Sequence, residues 1–504
     1  MTGMQIGLIL LVSLYFVVGV GTYFLVKGSG KRFIIAGKRL PLMVIGTMLL
    51  AQALDANATL GAAAGTYSWG FWAGFVFPLG LALCLLITGI WYAKPLNRMN
   101  LITLPDFYFR RFGKLVEVIV SFLMAFSFII LVAGNMAGAA WIISIIFGIS
   151  YLTALIIMST IVLIYTFSGG LFSCASTDVV QIYPALVAFA GSAVWMVYTY
   201  GWSHFSGSIP AGFLDMSGLI SIENGALLNW AGILALGLGD IVALDFMERI
   251  FASKNPETAQ KGCFFGAGFT LIAGLGASFL GLMAITLFPD VADPRTILPL
   301  MATITLPFLL GLFVMGGVLG AGMSTANGGL LGVSAVFGRN LLQRNLLPAL
   351  HRRKANRLKV PIEELTIDWH IMDKRLLGYA RFMTIPVMVA AVYLAIIKPE
   401  PGIMLVLAFD VVFAGCLVPL TLGLFWKKAN SYGALAAVVV GSVLRLILFF
   451  TIPEHLAGLD TLIPPVVSLM VMVPVSLMTQ KQDPPKHEVI NEIPSDEDVA
   501  RAIR

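Results

Sequence analysis

The stretch Ala51–Gly65 reads AQALDANATLGAAAG, and its reading decides the fold. It lies inside an apolar run that begins near Leu42, so its middle falls near the centre of a bilayer. An ordinary membrane helix stays apolar there. This one carries Gln52, Asp55, Asn57 and Thr59, followed by Gly61 and Gly65. A carboxylate at that depth costs roughly 2.5–3.5 kcal/mol on insertion scales, tolerable only if it faces protein, water, an ion or a solute. Asn and Asp side chains also compete with helical backbone hydrogen bonds. The segment is therefore expected to be a helix interrupted near Ala53–Asn57, with carbonyls freed at the break. Broken helices at the midplane hold the ion and substrate sites of many secondary transporters. The alternative is a continuous helix whose polar groups bond to neighbouring helices.

The rest of the chain fits a membrane setting. Of its 504 residues, 59% are hydrophobic and 12% charged, against about 25% charged in soluble domains. Mean hydropathy is +0.92. An all-α polytopic membrane protein is expected. Windows of about 20 apolar residues give thirteen candidate spans, near 5–26, 42–66, 71–93, 115–147, 151–168, 175–199, 229–250, 262–288, 304–336, 377–397, 402–426, 431–451 and 460–479. The fourth and ninth exceed what the hydrocarbon needs and are expected to tilt or to extend past it. No Lys or Arg precedes the first run, which is long enough to span, so it reads as a membrane helix and not a signal peptide.

Charge sets orientation through the positive-inside rule. With the N-terminus outside, the loops 27–41, 94–114, 249–261, 338–376 and 427–430, the tail and Arg381 are cytoplasmic and hold 29 of the 32 Lys and Arg residues. Arg295 and Lys398 fall outside and Arg445 within a span. The net charge of +6 thus reports topology and not nucleic acid. The basic loop 338–376, with Arg352, Arg353, Lys354, Arg357 and Lys359, reads most simply as drawn to anionic headgroups; a regulatory role is the alternative. The polar tail 480–504 is expected to be flexible. Cys84, Cys174, Cys263 and Cys416 are single, with no metal or disulfide spacing, and read as packing residues.

A second informative run is AGMST at Ala321–Thr325. Ala321, Ser324 and Thr325 share one helix face and offer a carbonyl and two hydroxyls. Sodium is a hard cation that takes oxygen ligands, and carbonyls from the Ala53–Ala56 break would complete a five-oxygen site. Alternatively the hydroxyls bond back to their own helix. Asp178, in GGLFSCASTD, either lines an inner ion route or caps the sixth span. Asp240 and Asp245 lie in the seventh span, and two acids there imply a polar cavity. Five residues apart, they do not share a face of a regular helix, so at most one is expected to face a solute. Asp410 adds a third acid in the eleventh span. Each could instead bond to a helix end or pair with Arg445.

The motifs ALDANATLGAAAG at 53–65, GGLFSCASTDVVQ at 169–181, ERIFASKNPETAQKG at 248–262, AGMSTANGGL at 321–330 and GLFWKKANSYGALAAVVVG at 423–441 occur in order. Together they give a chain that resembles the sodium:solute symporter family across about residues 5–450. The resemblance implies a fold of the leucine-transporter type, a 5+5 inverted repeat of about thirteen transmembrane helices. It divides the chain into an extra helix at 1–30, a first repeat at 42–199, a second at 229–426, two helices at 430–479 and the tail 480–504. It also implies Na+ as coupling ion, held by Ala53, Ala56, Ala321, Ser324 and Thr325, with Asp178 on the inner path. Some members add a second sodium through hydroxyls after the Ser-Thr pair, but here Ala326, Asn327 and Gly328 follow.

The proline symporters of the family carry Gly-Gln-Pro where this chain has Gly239-Asp240-Ile241, and the polar set of sugar symporters is not recognisable. Asp55, Asn57, Thr59, Asn135, Asp240, Phe409 and Asp410 are the candidate substrate residues, and carboxylate and cation–π contacts suit an amine. The expected function is a sodium-coupled symporter importing a small polar organic solute, with an amino acid or other amine-bearing compound as the candidate, by alternating access. A proton-coupled transporter using Asp55 or Asp178, and a transporter-like membrane sensor, are the alternatives. No nucleophile–base pair or metal motif supports an enzyme. The bilayer and a small-molecule substrate are the expected partners, with no nucleic acid and no obligate protein partner. The expected location is the cell membrane, multi-pass, with the N-terminus outside and the C-terminus cytoplasmic.

Overall fold

The computed structural model describes residues 1–344, 348, 350, 352–353, 356–357 and 369–486. Lys354 and Lys359 of the basic loop and most of the 480–504 tail lie outside the described residues. Among the described residues, ten helices are long and apolar enough to cross a membrane, and three bent helix pairs bring the number to as many as thirteen. Each coincides with an expected span. No β-sheet occurs among them, only an isolated bridge between Leu40 and Ser253.

Local chemistry sets where these helices start and turn. Ser150 caps Tyr151–Gly169, accepting from the Thr153 N–H at 3.2 Å. Asn255 caps Pro256–Leu287, which opens on a proline that has no N–H to leave unpaired. Gly170, at φ +55°, makes the tight turn between the fifth and sixth spans, where a side chain would meet the Phe33 carbonyl.

Burial sorts the spans into centre and rim. The apolar window of the ninth span, Phe308–Gln343, is 78% buried, while that of the first, Gly3–Val26, is only 22% buried. The ninth packs against the fourth, Lys114–Phe147, and the sixth, Leu171–Tyr200; the eighth, Pro256–Leu287, covers the second and third. At 34 residues the fourth span is about 50 Å long, well beyond the ~30 Å hydrocarbon, as its sequence length suggested.

Three spans are broken. The second divides into Leu42–Ala53 and Ala56–Trp69 with a 45° bend, at the expected place. The seventh divides into Ala226–Val242 and Leu244–Ala252 at 46°, and the eleventh into Pro401–Gly415 and Leu417–Phe425 at 47°. The sequence reading gave each of these only as a single candidate span, judging the seventh against a regular helix, and the structure adds both breaks. In the eleventh, Pro419 has no N–H to return to the Gly415 carbonyl, which ends the first half there.

A buried charge cluster locks the end of the bundle that carries the basic loops. The short helix Pro105–Phe112, between the third and fourth spans, presents Asp106 to Arg339 (2.9 Å), Arg344 (2.5 Å) and Asn340 (3.0 Å) at the end of the ninth. Asn340 also donates to Glu117 at 2.7 Å, and Arg344 pairs with Glu117. Burial alone would raise the Asp106 carboxyl, but the Arg339, Arg344 and Arg110 guanidinia outweigh it and hold it well below the usual carboxylate range.

Candidate functional site

The break in the second span is built by Asp55. Leu54 closes the first half by donating to the Leu50 carbonyl at 3.0 Å, so the carbonyls that follow have no partner further along that helix. Asp55 then caps the second half, accepting from the Ala58 N–H at 2.6 Å. Its other oxygen accepts from Asn135 at 2.8 Å and from Asn57 at 3.2 Å. Asn135 in turn accepts from the Ala56 N–H at 3.1 Å. Asn57 and Asn135, candidates for substrate contact, thus hold Asp55 and the break in shape. Thr59, another candidate, returns its hydroxyl to the Asp55 carbonyl of its own helix at 2.8 Å.

The ninth span crosses this break at close range. A Cβ built on Gly322 would lie 2.7 Å from the Ala56 Cβ, so only glycine lets the backbones approach so far. Ala321 is buried one turn before Ser324 and Thr325, and all three face inward. Thr325 directs its hydroxyl at the Gln52 carbonyl, 3.4 Å away, and Gln52 donates to the Ser324 carbonyl at 3.2 Å. Ser324 donates its hydroxyl to Asp178. Neither hydroxyl is spent on its own helix in these bonds. Ala53, at the end of the first half, is buried beside Gln52.

Asp178 is fully buried, and the helix that carries it begins at Leu171, two turns earlier. It does not cap that helix, which removes one of the two readings left open by the sequence. Arg249 is buried in the far half of the seventh span, one turn after Asp245. Its guanidinium donates to the Asp245 carbonyl at 2.8 Å and packs, with Gln52, against Gly328 of the ninth span.

A narrow cavity lies where the second and seventh breaks meet. Gln52, Asp55, Asp240, Asp245, Thr325 and Phe409 are on its wall, so it touches both the cavity acids and the Ser-Thr face. Because the seventh span bends between Asp240 and Asp245, both acids reach one space. The expectation that at most one would do so assumed a regular helix and is corrected. Asp410 does not reach the cavity wall. It is bound by Arg445 at 2.5 Å and Thr461 at 3.1 Å, with Asp460 on the other side of Arg445 at 3.1 Å. It is a structural ion pair, and its candidacy for substrate contact is withdrawn.

Sequence reasoning read Asp245 with Asp240 as the sign of a polar cavity but left it out of the candidate substrate residues, and it did not single out Phe246 and Arg249. The signal for Asp245 was present in its paired acid, Gly237 and Gly239, which make a helix easy to interrupt. Phe246 and Arg249 had no signal apart from lying within a turn of it.

The Sodium:solute symporter family profile matches residues 33–360 and 368–441. The human high affinity choline transporter 1 is 26% identical over 475 residues, covering 88% of this chain and 76% of that one. The high-affinity proline transporter of Bacillus subtilis (strain 168) is 26% identical over 420 residues, covering 80% and 83%. The structure of a Na+-coupled sialic acid symporter in a substrate-bound outward-open state superposes with a TM-score of 0.72 over 96% of this chain and 98% of that one, at 15% identity. The fold is that of the leucine-transporter type.

Proposed function

The chain belongs to the sodium:solute symporter family of membrane transporters, and from that premise we propose that it uses the sodium gradient to import a small, amine-bearing polar solute. Sodium is held by the carbonyls of Ala53, Ala56 and Ala321 and the hydroxyls of Ser324 and Thr325. Asp178 takes part in its release toward the cytoplasm. One observation carries this reading: Thr325 and Ser324 meet the second-span break at Gln52, with Asp178 bonded to the same Ser324. A cation there finds hard oxygen donors of the kind it requires, in a region with several buried acids and, among the described residues, the guanidinium of Arg249.

The solute occupies the cavity next to Thr325, facing Asp55, Asp240 and Phe409. Carboxylates and aromatic faces both favour an ammonium group. Relatives named for choline and proline, both nitrogen compounds, agree with that. Because Thr325 belongs to both places, each ligand favours the geometry that the other needs, which is the condition for coupling. The repeats run over 42–199 and 229–426, so the broken second and seventh spans are their equivalent first helices, as expected where a transport site lies at a repeat interface. The N-terminus faces outward and the C-terminus the cytoplasm of the cell, on the charge count of the loops.

The test is uptake into proteoliposomes of a solute found by binding, with an imposed sodium gradient, an imposed pH gradient, or neither. Accumulation driven by sodium alone supports the proposal. Accumulation driven only by the pH gradient would replace sodium by protons.

A further inference from the structure

The charges around the cavity narrow the solute beyond its amine. Three carboxyl groups are on the wall, from Asp55, Asp240 and Asp245, and its lining includes no Lys, Arg or His among the described residues. The three acids are not equivalent. Asp55 is satisfied by Ala58, Asn57 and Asn135. Asp245 accepts from the Phe246 N–H at 2.7 Å, and its backbone carbonyl accepts from Arg249. Asp240 is 1% exposed, and neither of its oxygens has a hydrogen-bond partner. Asp245 and Asp55, which share the wall with it, carry charge of its own sign.

A buried carboxylate without a partner is costly until a counter-charge or donor arrives. Arg249 does not serve, because it is turned to the Asp245 carbonyl and packed against Gly328, off the cavity wall. The remainder of the wall is apolar apart from Gln52 and Thr325, with Phe246 and Phe409 offering aromatic surface for the body of an alkylammonium ion. A carboxylate on the solute would enter a desolvated space with three acids on its wall and no basic side chain, where the one sodium proposed beside Thr325 is outnumbered by charges of the carboxylate's own sign.

Building on the transporter reading above, we infer that the solute is a small organic cation, a protonated amine or quaternary ammonium compound without a carboxylate, and that Asp240 is its counter-ion. An amino acid is then not the solute. This separates the chain's solute from the one its relative is named for, proline, and leaves the proposed sodium site unchanged.

Matched pairs test it. Ethanolamine and glycine, choline and glycine betaine, and 4-aminobutan-1-ol and 4-aminobutyrate each differ only in a hydroxymethyl group replaced by a carboxylate. Binding of each to the purified full-length protein is measured by calorimetry with and without sodium. At least one cation should bind at least tenfold more tightly than its carboxylate-bearing counterpart, and Asp240→Asn should remove most of that preference. A carboxylate-bearing member that binds as tightly as its cation, or a panel in which no cation binds, overturns the inference. Should Asp240→Asn fail to fold, the unaltered protein still decides solute class, and Asp245→Asn, expected to keep a larger share of the preference, decides whether Asp240 is the main counter-ion. Equal loss in the two variants overturns that assignment. Sodium-dependent binding of a carboxylate defeats this inference and leaves symport standing. Cation binding that ignores sodium defeats the symport reading and leaves this inference standing.

Discussion

Replacing Gly322 with alanine should remove most of the sodium affinity, and the size of the effect follows from one contact. The added Cβ would lie 2.7 Å from the Ala56 Cβ, whereas non-bonded carbons rest at about 3.5–4.0 Å. The ninth span must then back away from the second-span break by about 1 Å, or remain strained there. Overpacking of this kind costs roughly 1–3 kcal/mol, and ligating groups need placing to within about 0.5 Å. A loss of about 1.4 kcal/mol in sodium binding is tenfold, so the sodium midpoint of Gly322→Ala should rise by about tenfold or more. Combining it with Ala56→Gly moves the methyl group from one helix to the other. The pair keeps the volume at a cost of about 0.5–1 kcal/mol for a helical glycine, and most of the affinity should return. Gly268→Ala is the control, since its Cβ meets nothing within 4 Å. The assay is a sodium titration of thermal stability in detergent. A Gly322→Ala midpoint within twofold of the unaltered protein, or a double variant no better than the single, refutes the reasoning.

Asp178→Asn should slow sodium release or weaken the sodium dependence of uptake while insertion and expression persist; unchanged uptake kinetics would reduce Asp178 to a structural partner of Ser324. Asp106→Asn breaks a buried pair, and removal of one partner costs about 3–5 kcal/mol, read as a lower melting temperature with little change in solute affinity. The Asp106 carboxyl is held below its unfolded value, so its contribution is fully present above about pH 4 and is lost as pH falls through the folded value. In Asp106→Asn the acid-side loss of stability should therefore be shallower. For topology, a cysteine at Gly207 should react with an impermeant thiol reagent from outside intact cells and one at Lys254 should not. The four native cysteines are buried and give little background; labelling of both positions from one side would contradict the orientation.

The second-span break was legible because Asp55 and Asn57 stand where a continuous helix needs apolar groups. The seventh was only half legible. Asp240 and Asp245 announced a polar cavity, but their spacing was judged against a regular helix, and the break that unites them is a tertiary feature. The eleventh break has no polar residue beside it, and Pro419 was its one local sign. The Asp410–Arg445 pair was readable as an alternative, since both are charges stranded in neighbouring apolar spans. The bond from Ser324 to Asp178 was not, because 146 residues separate the two and nothing in either motif encodes the meeting.

The sodium site is the centre of the account, and the double variant Ser324→Ala with Thr325→Ala tests it most directly. It deletes two of the five proposed oxygen ligands. It also frees Asp178 and the Gln52 carbonyl of the hydroxyls they now accept from. Alanine favours helix, and a melting curve without sodium checks that the variant is folded. Solute binding is then measured across a sodium titration. The account predicts a sodium midpoint raised by more than about tenfold, a loss above about 1.4 kcal/mol, and a solute affinity that no longer responds to sodium. A folded double variant whose midpoint stays within about tenfold of the unaltered protein would contradict it.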